Sequence, residues 1–277
     1  MSKSKLIIFV LGIILVLCPI FTNAKNIFNN NGVVISEDEY NNFTKIHTHD
    51  YIMNLDDAKY EHLKELDFST LKTDVKYFET SYNPSLKLYS TKEITEEEYN
   101  SEPLRISGGD YHETTSKKLA MAIVNGTAWV YVTLDLAWKK IPSTRSFDVI
   151  GFYADGMSPR NGSQYGDQTY FINGQYNKIE YSWNGTNIKR FNNGYGISMN
   201  LVNNSGLQSL HCSTWADMYV NSNHGSLFGS YQHAVTNLSL ANSKNYTLGS
   251  GGLGGVFIYP LNISQKYDGM GGTRINF

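Results

Sequence analysis

The sequence predicts a mainly β protein: an antiparallel β-sandwich preceded by a small acidic leader of mixed structure. Three observations carry this prediction. Beyond residue 117, apolar residues alternate with period two in eight or nine short runs. Asn-Gly pairs punctuate those runs, and such pairs supply the positive φ of tight hairpins. No long amphipathic pattern interrupts them, which argues against an α/β enzyme.

The N-terminus comes first. Lys3 and Lys5 precede an apolar run of 16 residues, 6–21. At 1.5 Å per residue this is short for a bilayer span. Pro19 breaks the run near its end, and Thr22, Asn23 and Ala24 set up cleavage after Ala24. Residues 1–24 therefore read as a secretory signal peptide, and the protein as secreted and extracellular. Leu17 before Cys18 is too bulky for a lipoprotein signal. Removal of the signal leaves one cysteine, Cys212, so the fold must rest on a packed core rather than an internal disulfide.

Charge then divides the chain. Residues 25–105 hold 9 Lys+Arg against 16 Asp+Glu, whereas residues 106–277 hold 12 against 9. The break sets the expected organisation: an acidic leader over 25–105 and a β-sandwich domain over 106–277. Within the leader, residues 35–41 (ISEDEYN) echo residues 94–100 (ITEEEYN). In each, Ser or Thr stands three residues before a Glu, the capping-box signature of a helix start. Residues 54–66 predict a third helix with Leu63 and Leu66 on its apolar stripe. Residues 75–81 and 86–91 predict a hairpin around Tyr82, Asn83, Pro84 and Ser85.

The sandwich strands are expected at 129–138, 145–153, 168–172, 178–183, 195–201, 216–220, 233–240 and 255–259. Asn-Gly turns fall at 125–126, 161–162, 173–174, 184–185 and 193–194.

Composition excludes several functions. A net charge of -2 gives no electrostatic case for nucleic-acid binding. No apolar run after the signal reaches membrane length, so no stable membrane anchor is expected in the mature chain.

Candidate chemistry is sparse. His47 and His49 have strand-type metal spacing but lack a third ligand nearby, so they read as a solvated turn. His211, Cys212, His224 and His233 form the one Cys/His grouping, without the paired spacing that sets zinc geometry. Asp135 and Asp148 flank a turn, and Asp148 is expected to pair with Arg145 at the surface. No local motif pairs any carboxylates as a glycosidase requires. The loop from Asp155 to Asp167 offers calcium part of an oxygen ligand set without EF-hand spacing. No catalytic residue, metal ligand or cofactor is therefore assigned.

Four segments resemble a known group: 32–42 (GVVISEDEYNN), 91–99 (TKEITEEEY), 137–148 (AWKKIPSTRSFD) and 267–272 (YDGMGG). They are similar to uncharacterised secreted proteins of clostridia and related low-GC Gram-positive bacteria, over nearly the whole mature chain. In that group a signal peptide and an acidic leader precede a β-rich domain. The resemblance implies bacterial export and carries over no site residues. It also implies that Asn125, Asn184 and Asn245, each in an Asn-x-Thr triplet, serve turns rather than glycosylation.

Aromatic residues give the functional expectation. All four Trp and most of the 20 Tyr fall in the β-rich part. Rings presented on a sheet stack against sugars while Asn and Gln bond the hydroxyls. The expected function is non-enzymatic binding of a glycan or cell-envelope polymer. Trp183 is the preferred contact, with Tyr181 two residues earlier as a second ring on the same strand face. The alternatives are an antibacterial or toxin-like factor whose leader is cleaved, and a glycan hydrolase.

Overall fold

A computed structural model of the chain describes residues 26–83, 88–101, 114–250 and 256–277. The expected signal peptide, the expected turn at Pro84 and Ser85, and most of the stretch around the charge break near residue 105 lie outside the described residues. With 51% strand and 14% helix, the class is mainly β, with antiparallel sheets packed against each other.

The strands are β1 (Ile27–Phe28), β2 (Val34–Ile35), β3 (Asp67–Asn83), β4 (Leu88–Ile94), β5 (Thr114–Asn125) and β6 (Val130–Trp138). There follow β7 (Phe147–Asp155), β8 (Met157–Pro159), β9 (Tyr165–Ile172), β10 (Gln175–Tyr181), β11 (Ile188–Phe191) and β12 (Gly194–Asn200). The chain ends with β13 (Leu207–Val220), β14 (Ser226–Gln232), β15 (Thr247–Leu248), β16 (Phe257–Ile258) and β17 (Gly272–Asn276). The helices are α1 (Glu37–Phe43), α2 (His49–Ile52), α3 (Asp57–Lys64), α4 (Glu96–Asn100), α5 (Leu240–Ser243) and α6 (Leu261–Ser264).

The large sheet has eight strands in the order β10-β9-β13-β6-β5-β3-β4, with β8 also on β13. The small sheet runs β11-β12-β7-β14-β17. Leu119, Met121, Val132, Leu134 and Leu136 of the large sheet meet Ile150, Phe152, Tyr195, Ile197 and Leu227 of the small one in the main core. Alternation places Tyr131, Ala122, Val124 and Trp215 on the opposite face of the large sheet. There Phe43, Ile46, Ile52, Leu55 and Leu63 of the leader pack over them. The outer face of the small sheet is covered in turn by Leu238, Tyr246, Phe257, Ile263 and Tyr267. Both sheets are thus buried on two sides, which is why β6 reads as almost continuously apolar.

The composition break does not coincide with a sheet boundary. β3 pairs with β5 from Asp67↔Asn125 to Ser81↔Thr114, so the acidic leader supplies two strands of the large sheet. Both echo segments do start helices with complete capping boxes, at Ser36 and Thr95. Of the five Asn-Gly pairs, Asn173 (φ 52) and Gly174 (φ 80) form the expected tight turn, between β9 and β10. Gly194 instead opens β12, where a Cβ would sit 2.1 Å from the Phe152 carbonyl oxygen. Its reason is close backbone approach rather than φ.

The strand expected at 233–240 is corrected. The strand is β14, and the chain leaves the sheet at His233. The cause is local: the His233 and Ala234 amides donate to the carboxylates of Asp268 (3.2 Å) and Asp148 (2.9 Å), not to a ladder.

Candidate functional site

Three of the four Trp are structural. Trp138 lies in the main core, and Trp129 and Trp215 lie beneath the leader helices. Trp183 stays half-buried, just after β10. Arg190 of β11 lays its guanidinium 5.5 Å from the Trp183 ring centroid, and its Nη1 donates to the Trp183 carbonyl at 3.0 Å. Tyr181 does not join it. Its ring belongs to the main core, and its hydroxyl oxygen accepts from Gln168 Nε2. The expected two-ring platform fails because β10 ends at Tyr181, so the period-two rule no longer governs residue 183.

Arg190 also lines a groove of about 400 Å³. Asn161 and Gln164 come from the β8–β9 connection, and Phe191, Asn192 and Gly194 from the β11–β12 hairpin. The lining offers one cation, one aromatic ring and several side-chain amides, with no carboxylate. Such a surface donates to and accepts from hydroxyls while its ring covers an apolar face. Sequence reading singled out Trp183 and did not single out Arg190 or Phe191. Their signal was the short IKRF run between two Asn-Gly pairs.

A second polar constellation lies between the sheets. Asp148 points into the core beside Ile150 and is fully buried, so it is not the surface partner of Arg145. Arg145 instead donates to the Asn204 carbonyl at 3.3 Å. Asp148 Oδ2 accepts from His233 Nδ1 at 2.8 Å and from the Tyr231 hydroxyl. Beside it, Asp268 accepts from Lys117 Nζ and from the Thr80 hydroxyl (3.3 Å). Lys117 and Asp268 are both 0% exposed. Cys212 lies 3.9 Å from the Tyr231 hydroxyl, and burial pushes its thiol well up, away from the reactive thiolate. His211 falls on the opposite sheet face from Cys212, and His224 is exposed in a turn, so the four do not cluster.

A third group sits under the leader. Ser213 of β13 pairs with Asp135 on one side and Asp167 on the other, so three strands align these side chains in one row. Burial pushes Asp135 up to about 7. It pushes Asp167 up to about 8, with the Asp135 charge adding to the effect. Among the described residues, Asp135 Oδ1, Asp167 Oδ2 and nearby Thr133 Oγ1 have no hydrogen-bond partner. Over this row, Lys59 of α3 reaches Glu180 of β10 at 3.1 Å. The row is covered rather than open to a cleft.

Residues 47–49 are no strand: Thr48 caps α2 and accepts from Tyr51 N at 3.2 Å. His47 is buried, stacked on Tyr51, and desolvation drives it down to about 3. His49 turns away to the Tyr40 hydroxyl at 2.6 Å. Asp155 ends a strand of the small sheet, whereas Asp167 lies in the large one. Among the described residues, no group of three or more His, Cys, Asp or Glu is placed to hold a metal. Nor is any helix among them long and apolar enough to cross a membrane.

No family model matches this chain, and no curated protein matches it.

Proposed function

We propose that this protein is an exported binding protein that takes a neutral glycan or cell-envelope polymer in the groove beside Trp183. The observation that carries this reading is the lining itself: Arg190, Phe191, Asn161, Asn192 and Gln164 around about 400 Å³. Ring faces and amides together match the alternation of C–H faces and hydroxyls on a sugar. Arg190, which lines the groove, also lies against the Trp183 ring. Export after cleavage behind Ala24 delivers the protein to such polymers.

Binding to a glycan array and to isolated cell walls tests the reading. Trp183→Ala is expected to weaken binding about 3- to 10-fold, the scale of one aromatic stacking contact. The melting temperature should hold, because Trp183 is only half-buried. Affinity should change less than about twofold between 50 and 200 mM salt, since one cation lines the groove. Unchanged binding by Trp183→Ala, or a steep salt dependence, refutes the reading.

A further inference from the structure

A separate cavity of about 50 Å³ opens where the β3–β4 hairpin meets the segment before β7. His233, Thr115, Ser143 and Thr144 line it, together with the Tyr82–Tyr89 ring pair. One water occupies about 10–15 Å³ by this measure, so the space holds about three to five water-sized groups. An acetyl group, with three heavy atoms, fits within that.

The His233 imidazole is fixed from behind. Its Nδ1 donates to Asp148 at 2.8 Å, and the edge of its ring meets Trp138 at 4.8 Å between centroids. Asp148 is itself held by the Tyr231 hydroxyl and the Ala234 amide. With Nδ1 carrying the proton, Nε2 carries the basic lone pair. The Thr115 and Thr144 side chains line the same cavity as His233. One base and two hydroxyls therefore border one small cavity.

We propose that His233 is a general base for the hydrolysis of small acyl esters, with Asp148 as its positioning residue. A water oxygen adds to the acyl carbon while its proton passes to His233 Nε2. The bond from the acyl carbon to the alkoxy oxygen then breaks, and His233 returns the proton to that leaving oxygen. The products are a carboxylic acid and an alcohol, and nothing is oxidised or reduced. Asp148 keeps the imidazole in one tautomer and stabilises the imidazolium that forms. The Thr115 and Thr144 hydroxyls are the donors available to the developing oxyanion.

The surroundings select this chemistry over two others. Glycoside hydrolysis needs two carboxyls flanking the bond, and no carboxylate lines the cavity. Phosphoryl transfer needs cations on the transferred group, and the nearby Lys117 is committed to Asp268.

The full chain is assayed with p-nitrophenyl acetate and its longer acyl homologues, following release of p-nitrophenolate. Saturable turnover of acetate is expected, falling at least about tenfold by the hexanoate as the acyl chain outgrows the cavity. His233→Gln should lower kcat/KM about 100-fold or more. Asp148→Asn should displace the pH profile of kcat as well as lower it, which a purely structural role does not do. Should these buried variants fail to fold, Thr144→Val, which is only part-buried, decides. It is expected to lower kcat at least about tenfold with no change in melting temperature. Release no faster than by equimolar free imidazole overturns the proposal. So does a folded His233→Gln or Thr144→Val as active as the wild type.

Discussion

Lys117→Met removes one charge from the most deeply buried ion pair and keeps nearly the same side-chain volume. Lys117 and Asp268 are both 0% exposed, and the ammonium also lies 5.0 Å from the Trp138 ring centroid. After the substitution Asp268 keeps two neutral donors, the His233 amide at 3.2 Å and the Thr80 hydroxyl at 3.3 Å. Neither compensates a full charge at a site where both ions are fully buried. Leaving one ion of a buried pair alone costs about 3–5 kcal/mol. At about 2–4 °C per kcal/mol for a domain of this size, the melting temperature should fall by about 6–20 °C. Asp268→Asn should cost a similar amount by stranding the ammonium. The double variant should cost clearly less than the sum of the two, because no charge then remains. Urea unfolding, followed by tryptophan fluorescence, reads all four proteins. A single-variant cost below about 1 kcal/mol, or additive costs, would show that the pair is not acting as a desolvated ion pair.

Between pH 7 and 8 stability should fall as pH rises. The unfolded chain has Asp135 and Asp167 ionised there, while the folded chain still holds protons on carboxyls pushed up to about 7 and 8. Each proton held contributes at most about 1.4 kcal/mol per pH unit. Lys118 beside Asp135, and Lys178 and Lys59 beside Asp167, oppose the shift, whereas Glu180 adds to it at Asp167, so the effect should reach only part of that limit. Asp167→Asn should flatten the slope, and urea melts showing stability rising over this interval would refute it. His47, driven down to about 3, acts with the opposite sign: its contribution is present above pH 6.5 and is lost as pH falls toward 3. Ser36→Ala should destabilise by about 1 kcal/mol, since its hydroxyl accepts from Glu39 N at 3.3 Å at the start of α1. An unchanged urea midpoint would show that α1 does not unfold with the rest.

The sequence by itself determined whatever depends on neighbours a few residues apart. Ser36 and Thr95 mark helix starts because a capping box closes within four residues. Asn173 and Gly174 mark a hairpin because positive φ is a property of those two residues. The mainly β class follows from the same short-range alternation. Tertiary structure decided everything that depends on distant partners. Alternation cannot tell which strands pair, so the charge break near residue 105 concealed that β3 and β4 complete the large sheet. Asp148 looks like any surface acid until His233, 85 residues away, supplies its partner. Lys117 is legible as buried only once Asp268, 151 residues on, lies against it. A charge can enter a core only with its counterpart. Chain folding alone brings the two together, so no local pattern records it.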